Sequence, residues 1–329
     1  MKVLYAIQGT GNGHLSRARD IIPELQKRVD LDIFISGAQA EVQLPYPVKY
    51  KSKGLSFYFG KKGGIDFLKT FKLNSSHEVY KEIKAFPVEN YDLVINDFEP
   101  ISAWAAKQRG VPCIGMSHQA ALLSKKVPKP KLKDPIGELI LKRYAPARQH
   151  VSFHFKSYDK NMFTPVIRSE IRKLKVEDNG HYTVYLPAYD DKKLVLLLAK
   201  FKHTRWHIFS KHTQKPYHVG SISVYPVRND DFVISMASST GVLCGAGFET
   251  PAEALYLNKK LLVVPMQSQY EQKCNALALK SLGVEVLKKM NQRNLKRLEH
   301  WVQENTAISI KYKNVAAEAV ELALKLGLR

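Results

Sequence analysis

Short apolar runs alternate along this chain with longer stretches whose apolar residues recur every three or four positions. In the first half the runs lie at 2–8, 31–36, 48–51, 91–96 and 111–116, and the helical stretches at 15–28, 65–86, 101–109 and 135–145. Strand, helix and strand in succession predict crossover units and a mainly parallel sheet with helices on both faces. Leu93-Val94-Ile95 is apolar on both faces, as a central parallel strand requires. The second half repeats the pattern, with strands at 182–186, 206–210, 221–225, 242–244 and 261–264 and helices at 192–201, 251–257, 270–282, 295–304 and 316–326. Between the halves, 156–172 carries no period, and Thr164-Pro165 interrupts it. The expectation is an α/β chain of two Rossmann-like parallel-sheet domains facing each other across a cleft. They span 1–155 and 173–329, joined by 156–172, and the last helix, 312–329, is placed to pack back on the first domain. In such sheets ligands sit beyond the carboxyl ends of the strands.

Composition sharpens this picture. A length of 329 residues suits two domains, and 45% apolar residues exclude disorder as the main state. No apolar run reaches the roughly 20 residues that span a bilayer. The first apolar stretch, Val3-Leu4-Tyr5-Ala6-Ile7, is too short for a signal peptide and reads as a strand. Cys113, Cys244 and Cys274 lie far apart, which excludes a disulfide framework and fits a reducing, cytoplasmic setting. The net charge is +21, split between 24 basic and 14 acidic residues in 1–150 and 27 and 16 in 151–329. An even excess is not a basic tail; it favours acidic partners such as phosphorylated ligands, anionic lipid or nucleic acid.

After the first strand comes Gly9-Thr10-Gly11-Asn12-Gly13-His14-Leu15-Ser16-Arg17. The alternating glycines Gly9, Gly11 and Gly13 permit a tight turn and close backbone approach, and the helix that follows offers free amides to an anion. The spacing is neither G-x-G-x-x-G nor a Walker loop. His14 opens the helix at the ligand edge, where an imidazole serves as a base near neutral pH or as a helix cap without chemistry. The fourth strand ends in Asn96-Asp97-Phe98-Glu99-Pro100. Asp97 is placed either to accept the imidazole N–H or to cap the next helix, and Glu99 is the second carboxylate there. Ser117-His118-Gln119 ends the fifth strand on the same edge. With Gly11, Asn12, Gly13 and Glu99, His118 and Gln119 make the expected acceptor side.

The second half carries Gly245-Ala246-Gly247-Phe248-Glu249-Thr250-Pro251-Ala252-Glu253 after a strand. The glycines bring backbone close, Thr250 suits a cap, Pro251 suits a first helical position, and the free amides suit a diphosphate. Glu253, one turn on, is spaced to hold two ribose hydroxyls. Gln269, Glu271 and Gln272 then start a helix at the cleft and offer groups to sugar hydroxyls.

In this order, these segments resemble GT-B fold glycosyltransferases, close to the branch that holds the lipid II-forming N-acetylglucosaminyltransferase and the UDP-glucosyl and UDP-glucuronosyltransferases. The resemblance covers nearly the whole chain. It implies a catalytic base at His14, an aspartate partner at Asp97, a ribose contact at Glu253 and a sugar-reading pair at Glu271-Gln272. It places Gly245, Gly247, Phe248, Glu249, Thr250 and Gln269 around the donor and Val227 against its base. Tyr185-Leu186-Pro187-Ala188-Tyr189 stands where the branch has a glycine-rich loop, a departure from its pattern. The implied reaction is an inverting, metal-independent transfer of a hexose-type sugar from a nucleotide diphospho-sugar, UDP foremost, to an acceptor hydroxyl. The donor is a co-substrate, no cofactor is implied, and a lipid or lipid-linked acceptor fits. No metal site is expected, since Asp190-Asp191 and Asp230-Asp231 read as helix caps. Two basic stretches, Lys51 to Lys69 with its aromatics and Lys125 to Lys133, suit an anionic membrane surface and a peripheral location on its inner face. The alternatives are a sugar-nucleotide epimerase of the same fold and a nucleic-acid-binding protein; no nucleic-acid motif accompanies the charge.

Overall fold

The computed structural model describes residues 1–37, 44–54, 76–132, 134–267, 269–304 and 306–328. The first sheet holds β1 (Lys2–Gln8), β2 (Asp30–Ser36), β3 (Tyr50–Ser52), β4 (Leu93–Asp97), β5 (Cys113–Ser117), β6 (Gln149–Phe153) and β7 (Met162–Phe163). Its order is β3-β2-β1-β4-β5-β6-β7, and every pairing is parallel. Its helices are α1 (Asn12–Gln26), α2 (Ser76–Ala85), α3 (Pro100–Arg109), α4 (His118–Ala121) and α5 (Pro135–Arg143), and α6 (Ser169–Arg172) lies in the connection.

The second sheet holds β8 (His181–Tyr185), β9 (Arg205–Ser210), β10 (Tyr217–Val219), β11 (Ile222–Pro226), β12 (Gly241–Gly245), β13 (Lys260–Val264) and β14 (Glu285–Val286), in the order β10-β11-β9-β8-β12-β13-β14. Only β10 runs antiparallel. The helices here are α7 (Asp191–Leu198), α8 (Asn229–Ser238), α9 (Glu249–Tyr256), α10 (Tyr270–Ser281), α11 (Leu295–Gln303) and α12 (Ala316–Gly327).

The apolar runs become strands because helices cover both faces: β4, β5 and β13 are buried at every residue. Periodicity missed β6, β7, β10, β14, α8 and the four-residue helices α4 and α6. β7 and β14 have two residues each, too few for any period. Because β7 pairs with β6, the first sheet runs on to Phe163, inside the stretch expected to be connection. Of the expected helix at 65–86 only 76–86 lies among the described residues, and Ser76–Ala85 of it is helical. Asp190 accepts from the Lys192 amide as the cap of α7, and Asp230 and Asp231 sit in the first turn of α8.

One apolar core joins the two sheets. It runs from Tyr5, Ile7 and Ile21 through Phe155 and Ile167 to Phe248, Ala252 and Val320. Helix α12 closes it by returning to the first domain, where it packs on α1, β5 and β6. Gly327 lies so near Leu93 that an added Cβ would stand 2.5 Å from that side chain.

Candidate active site

β1 and β4 are neighbours in register, with Ile7 opposite Asp97. The loop after β1 and the Asp97 carboxylate therefore leave the sheet side by side. Helix α1 begins at Asn12 after Gly11, so His14 is its third residue and points across to β4. His14 Nδ1 lies 2.8 Å from Asp97 Oδ1. A carboxylate only accepts there, so Nδ1 carries the hydrogen of this bond. Nε2 faces Gln119, whose Nε2 stands 3.5 Å away.

A third group completes this cluster. Arg17, one helical turn beyond His14, donates from Nη2 to both Asp97 oxygens at 2.8 Å. Its Nη1 reaches Glu249 Oε1 of the second domain at 2.5 Å. Burial alone would raise the Asp97 pKa, but the Arg17 charge and then His14 outweigh it and hold the carboxyl below its usual range.

The carboxylate at 99 has a different task. Glu99 is fully buried and caps α3, accepting from the amides of Ile101 and Ser102 at 2.7 Å each. Capping falls to Glu99 because Pro100 takes the first helical position, which frees Asp97 for His14. Between them Phe98 has φ +58°, a left-handed conformation costly for an aromatic residue. The Asn96 side chain clamps that turn, accepting from the Glu99 amide at 2.9 Å and donating to the Glu99 carbonyl at 2.7 Å. The strained turn presents the Phe98 ring to the cleft, 4.9 Å from the Tyr144 ring.

The cleft between the domains encloses a cavity of about 520 Å³. Its polar side includes Gly11, Gly13, His14, Arg17, Gln119 and Glu271, and its apolar wall is Phe98, Ile136, Ile140, Leu141 and Tyr144. Helix α5 supplies most of that wall and is pressed against α10, since a Cβ at Gly137 would meet Tyr270 Cβ at 2.5 Å. Of the loop glycines, Gly11 faces open space, whereas a Cβ at Gly13 would stand 2.6 Å from Glu249 Oε2. Gly13 therefore makes room for a side chain of the other domain.

His118 borders the cavity with its ring but is fixed between the domains. Its Nδ1 is 2.9 Å from the Phe153 carbonyl, its Nε2 is 2.8 Å from Asn275 Oδ1, and its ring stacks on Phe248 at 3.9 Å. Burial pushes its pKa well down. Asn12 opens α1, but only its neighbours Gly11 and Gly13 border the cavity.

On the donor side, Gly247, Phe248, Glu249, Gln269 and Glu271 border the cavity. Gln119 donates to Glu271 Oε2 at 3.1 Å, and burial raises the Glu271 pKa. Helix α9 starts at Glu249, so Thr250 is its second residue, not its cap, and Pro251 its third, not its first. The Glu249 and Thr250 amides precede the first intrahelical donor, and Pro251 has none to offer. The remaining expected donor groups stand back from the cavity. Glu253 is 3% exposed and held by Arg168, Nε to Oε1 at 2.5 Å and Nη2 to Oε2 at 2.9 Å. Gln272 uses its carbonyl oxygen on the Met266 amide at 2.9 Å. Gly245 ends β12, and Val227, just past β11, packs at the core edge.

The sequence reading missed Arg17, Arg168, Asn275 and the α5 wall. Arg17 had a signal, since residues 14 and 17 share a helix face. Arg168 and Asn275 had none, because their partners lie 85 and 157 residues away.

Among the described residues, no group of three His, Cys, Asp or Glu converges as metal ligands. The sequence does hold one Asp-x-Asp spacing, Asp30-Leu31-Asp32, at the amino end of β2 and so on the edge opposite the cleft. Asp32 is occupied by Lys49 Nζ at 2.6 Å and by the Tyr91 hydroxyl at 2.8 Å.

Several solved structures share this architecture over nearly their whole length. MurG from Acinetobacter baumannii aligns with a TM-score of 0.57 at 16% identity, covering 98% of this chain and 99% of that one. Arabidopsis thaliana UGT89C1, solved complexed with UDP, aligns at 0.61 and 12% identity, covering 99% of each chain. Phytolacca americana UGT2, complexed with UDP-2fluoro-glucose and pterostilbene, aligns at 0.57 and 14% identity, covering 99% of this chain and 93% of that one. No curated protein sequence matches this chain. The sequence profile of Glycosyl transferase family 1 matches residues 1–305. With two parallel-dominated sheets facing across a cleft, the chain belongs to that family and is a glycosyltransferase of the GT-B fold.

Proposed function

We propose that this glycosyltransferase moves a hexose-type sugar from a UDP-sugar to an acceptor hydroxyl, with inversion and without a metal ion. The observation that carries the reading is the 2.8 Å contact between His14 Nδ1 and the Asp97 carboxylate. With Nδ1–H on Asp97, the Nε2 lone pair is free at the cavity to take the acceptor proton while the hydroxyl attacks the anomeric carbon. Asp97 holds the ring and stabilises the imidazolium that forms. The amides of Glu249 and Thr250, left without intrahelical acceptors at the start of α9, would stabilise the charge of the leaving diphosphate, the role a metal has elsewhere. Two neighbours solved with UDP or a UDP-sugar support the choice of nucleotide. Glu253 would leave Arg168 to hold the ribose. His14→Ala is expected to lower turnover by about 10²–10⁴-fold with UDP affinity unchanged. Unchanged turnover would remove His14 from the chemistry, and product formed without any acceptor would point to the epimerase.

The acceptor side suits an apolar or lipid-linked molecule at an anionic membrane. The α5 wall is apolar, and on α5 Ile136 and Leu139 are 53% and 57% exposed, with Leu132, 87% exposed, just before the helix. Lys125, Lys126, Lys129 and Lys131 flank it, and residues 55–75 of the other basic stretch lie outside the described residues. Among the described residues, no helix is long and apolar enough to cross a membrane. Co-sedimentation with anionic vesicles is expected to weaken as salt rises and to fall in Leu132→Ser/Leu139→Ser. Equal binding to neutral vesicles would overturn this part of the reading.

A further inference from the structure

Transfer as described uses His14 and Asp97 and leaves the role of Arg17 open. Its guanidinium is 2% exposed and fixed from two domains at once. Nη2 grips both oxygens of Asp97, and Nη1 grips Glu249 at the start of α9. Nη2 also stands 3.3 Å from His14 Nδ1. Asp97 Oδ1 serves two donors, the imidazole and the guanidinium. The guanidinium is a rigid planar fork, so any tilt that frees Nη1 also moves Nη2 against that shared oxygen. Gly13 belongs to the same device, because a Cβ there would stand 2.6 Å from Glu249 Oε2 and push that carboxylate aside.

We propose that Arg17 is a positioning residue that makes the alignment of the His14–Asp97 pair depend on Glu249 of the donor-side domain. The role assigned to His14 rests on the transfer reading above; the coupling itself does not. The base is then held in its working tautomer only while the two domains are seated. A purely architectural ion pair would hold the domains together without touching the imidazole.

The test is ¹⁵N NMR of the full chain with labelled histidine, His14 being assigned by the signal lost in His14→Gln. Wild type is expected to show Nδ1 protonated and Nε2 unprotonated. Glu249→Ala is expected to move His14 toward a mixture of tautomers although residue 249 makes no contact with it. It should also lower kcat roughly ten- to a hundredfold with donor KM changed less than threefold. Glu249→Gln, which keeps an oxygen for Nη1, should restore most of both signals. Gly13→Ala, which displaces the carboxylate while leaving all three partners intact, should reproduce the shift. Unchanged His14 resonances in both Glu249→Ala and Gly13→Ala would overturn the proposal, as would a fall in kcat without that change. A tautomer shift in a protein that transfers no sugar would uphold the coupling and remove the reaction assigned to it.

Discussion

Two buried carboxylates, each gripped by an arginine, sit on opposite sides of this cleft and titrate in opposite directions. Asp97 is held by Arg17 through one nitrogen that reaches both its oxygens, and Glu253 by Arg168 through two nitrogens, one to each oxygen. Burial raises both, yet the Asp97 pKa ends below its ordinary value and the Glu253 pKa above. The difference lies in the second neighbours. Asp97 has His14 as a further favourable partner, whereas Glu253 lies near Glu249 and Glu170, whose charges oppose its own. The same ion pair thus makes a firm anion beside the imidazole and a reluctant one on the donor side. A reluctant anion exchanges its arginine for another partner at less cost, which suits a group that must turn to a ribose.

The largest expected effect comes from removing the arginines. Arg17→Met strands a fully buried anion and should cost about 3–5 kcal/mol in urea unfolding at pH 7. Arg168→Met should cost less, because burial and the neighbouring carboxylates raise the Glu253 pKa, so that side chain takes up a proton more readily than Asp97 once its arginine is gone. Equal losses would break the comparison.

Acid titration sharpens it. The Asp97 contribution is fully present above its ordinary value of 3.8 and is lost as pH falls through its lower folded value. Glu253 has the reverse sign: its contribution is fully present below 4.5 and is lost as pH rises through its raised folded value. Asp97→Asn should therefore flatten the acid limb of a stability profile, and Glu253→Gln the limb above it. In Arg17→Met only His14 still opposes burial at Asp97, so its contribution should shrink and move toward the sign of Glu253.

The smallest expected effect is on the turn that aims Asp97. Phe98→Gly relieves a left-handed residue, worth about 1–2 kcal/mol, and loses the contact with Tyr144, so net stability should stay within about 1 kcal/mol of wild type. Activity should fall nonetheless, as the cavity wall and the rigidity behind Asp97 are lost. A variant more stable and equally active would show that the strain serves nothing.

Much of this was legible. The alternating periods predict both sheets, and the segments ending β1, β4 and β12 mark the cleft, because a strand followed at once by glycine or by polar residues has few other uses. The cap of α3 stays open in the sequence, with Asp97 as its candidate; Pro100 at the first helical position puts it on Glu99. What stayed hidden depends on pairs distant in sequence. Nothing local says that Arg168 neutralises Glu253, that Asn275 holds His118, or that Glu249 reaches Gly13. Two-residue strands such as β7 and β14 are created by the neighbour they pair with, and no local pattern encodes them.

The return of α12 sets an order of assembly. The face of the first sheet that carries α1 is sealed by residues 316–327, which leave the ribosome after the whole second domain. The amino-terminal half must wait with that apolar face uncovered, open to chaperones, until the helix arrives. The two domains should then gain their stability in a single late step, and urea should melt them together.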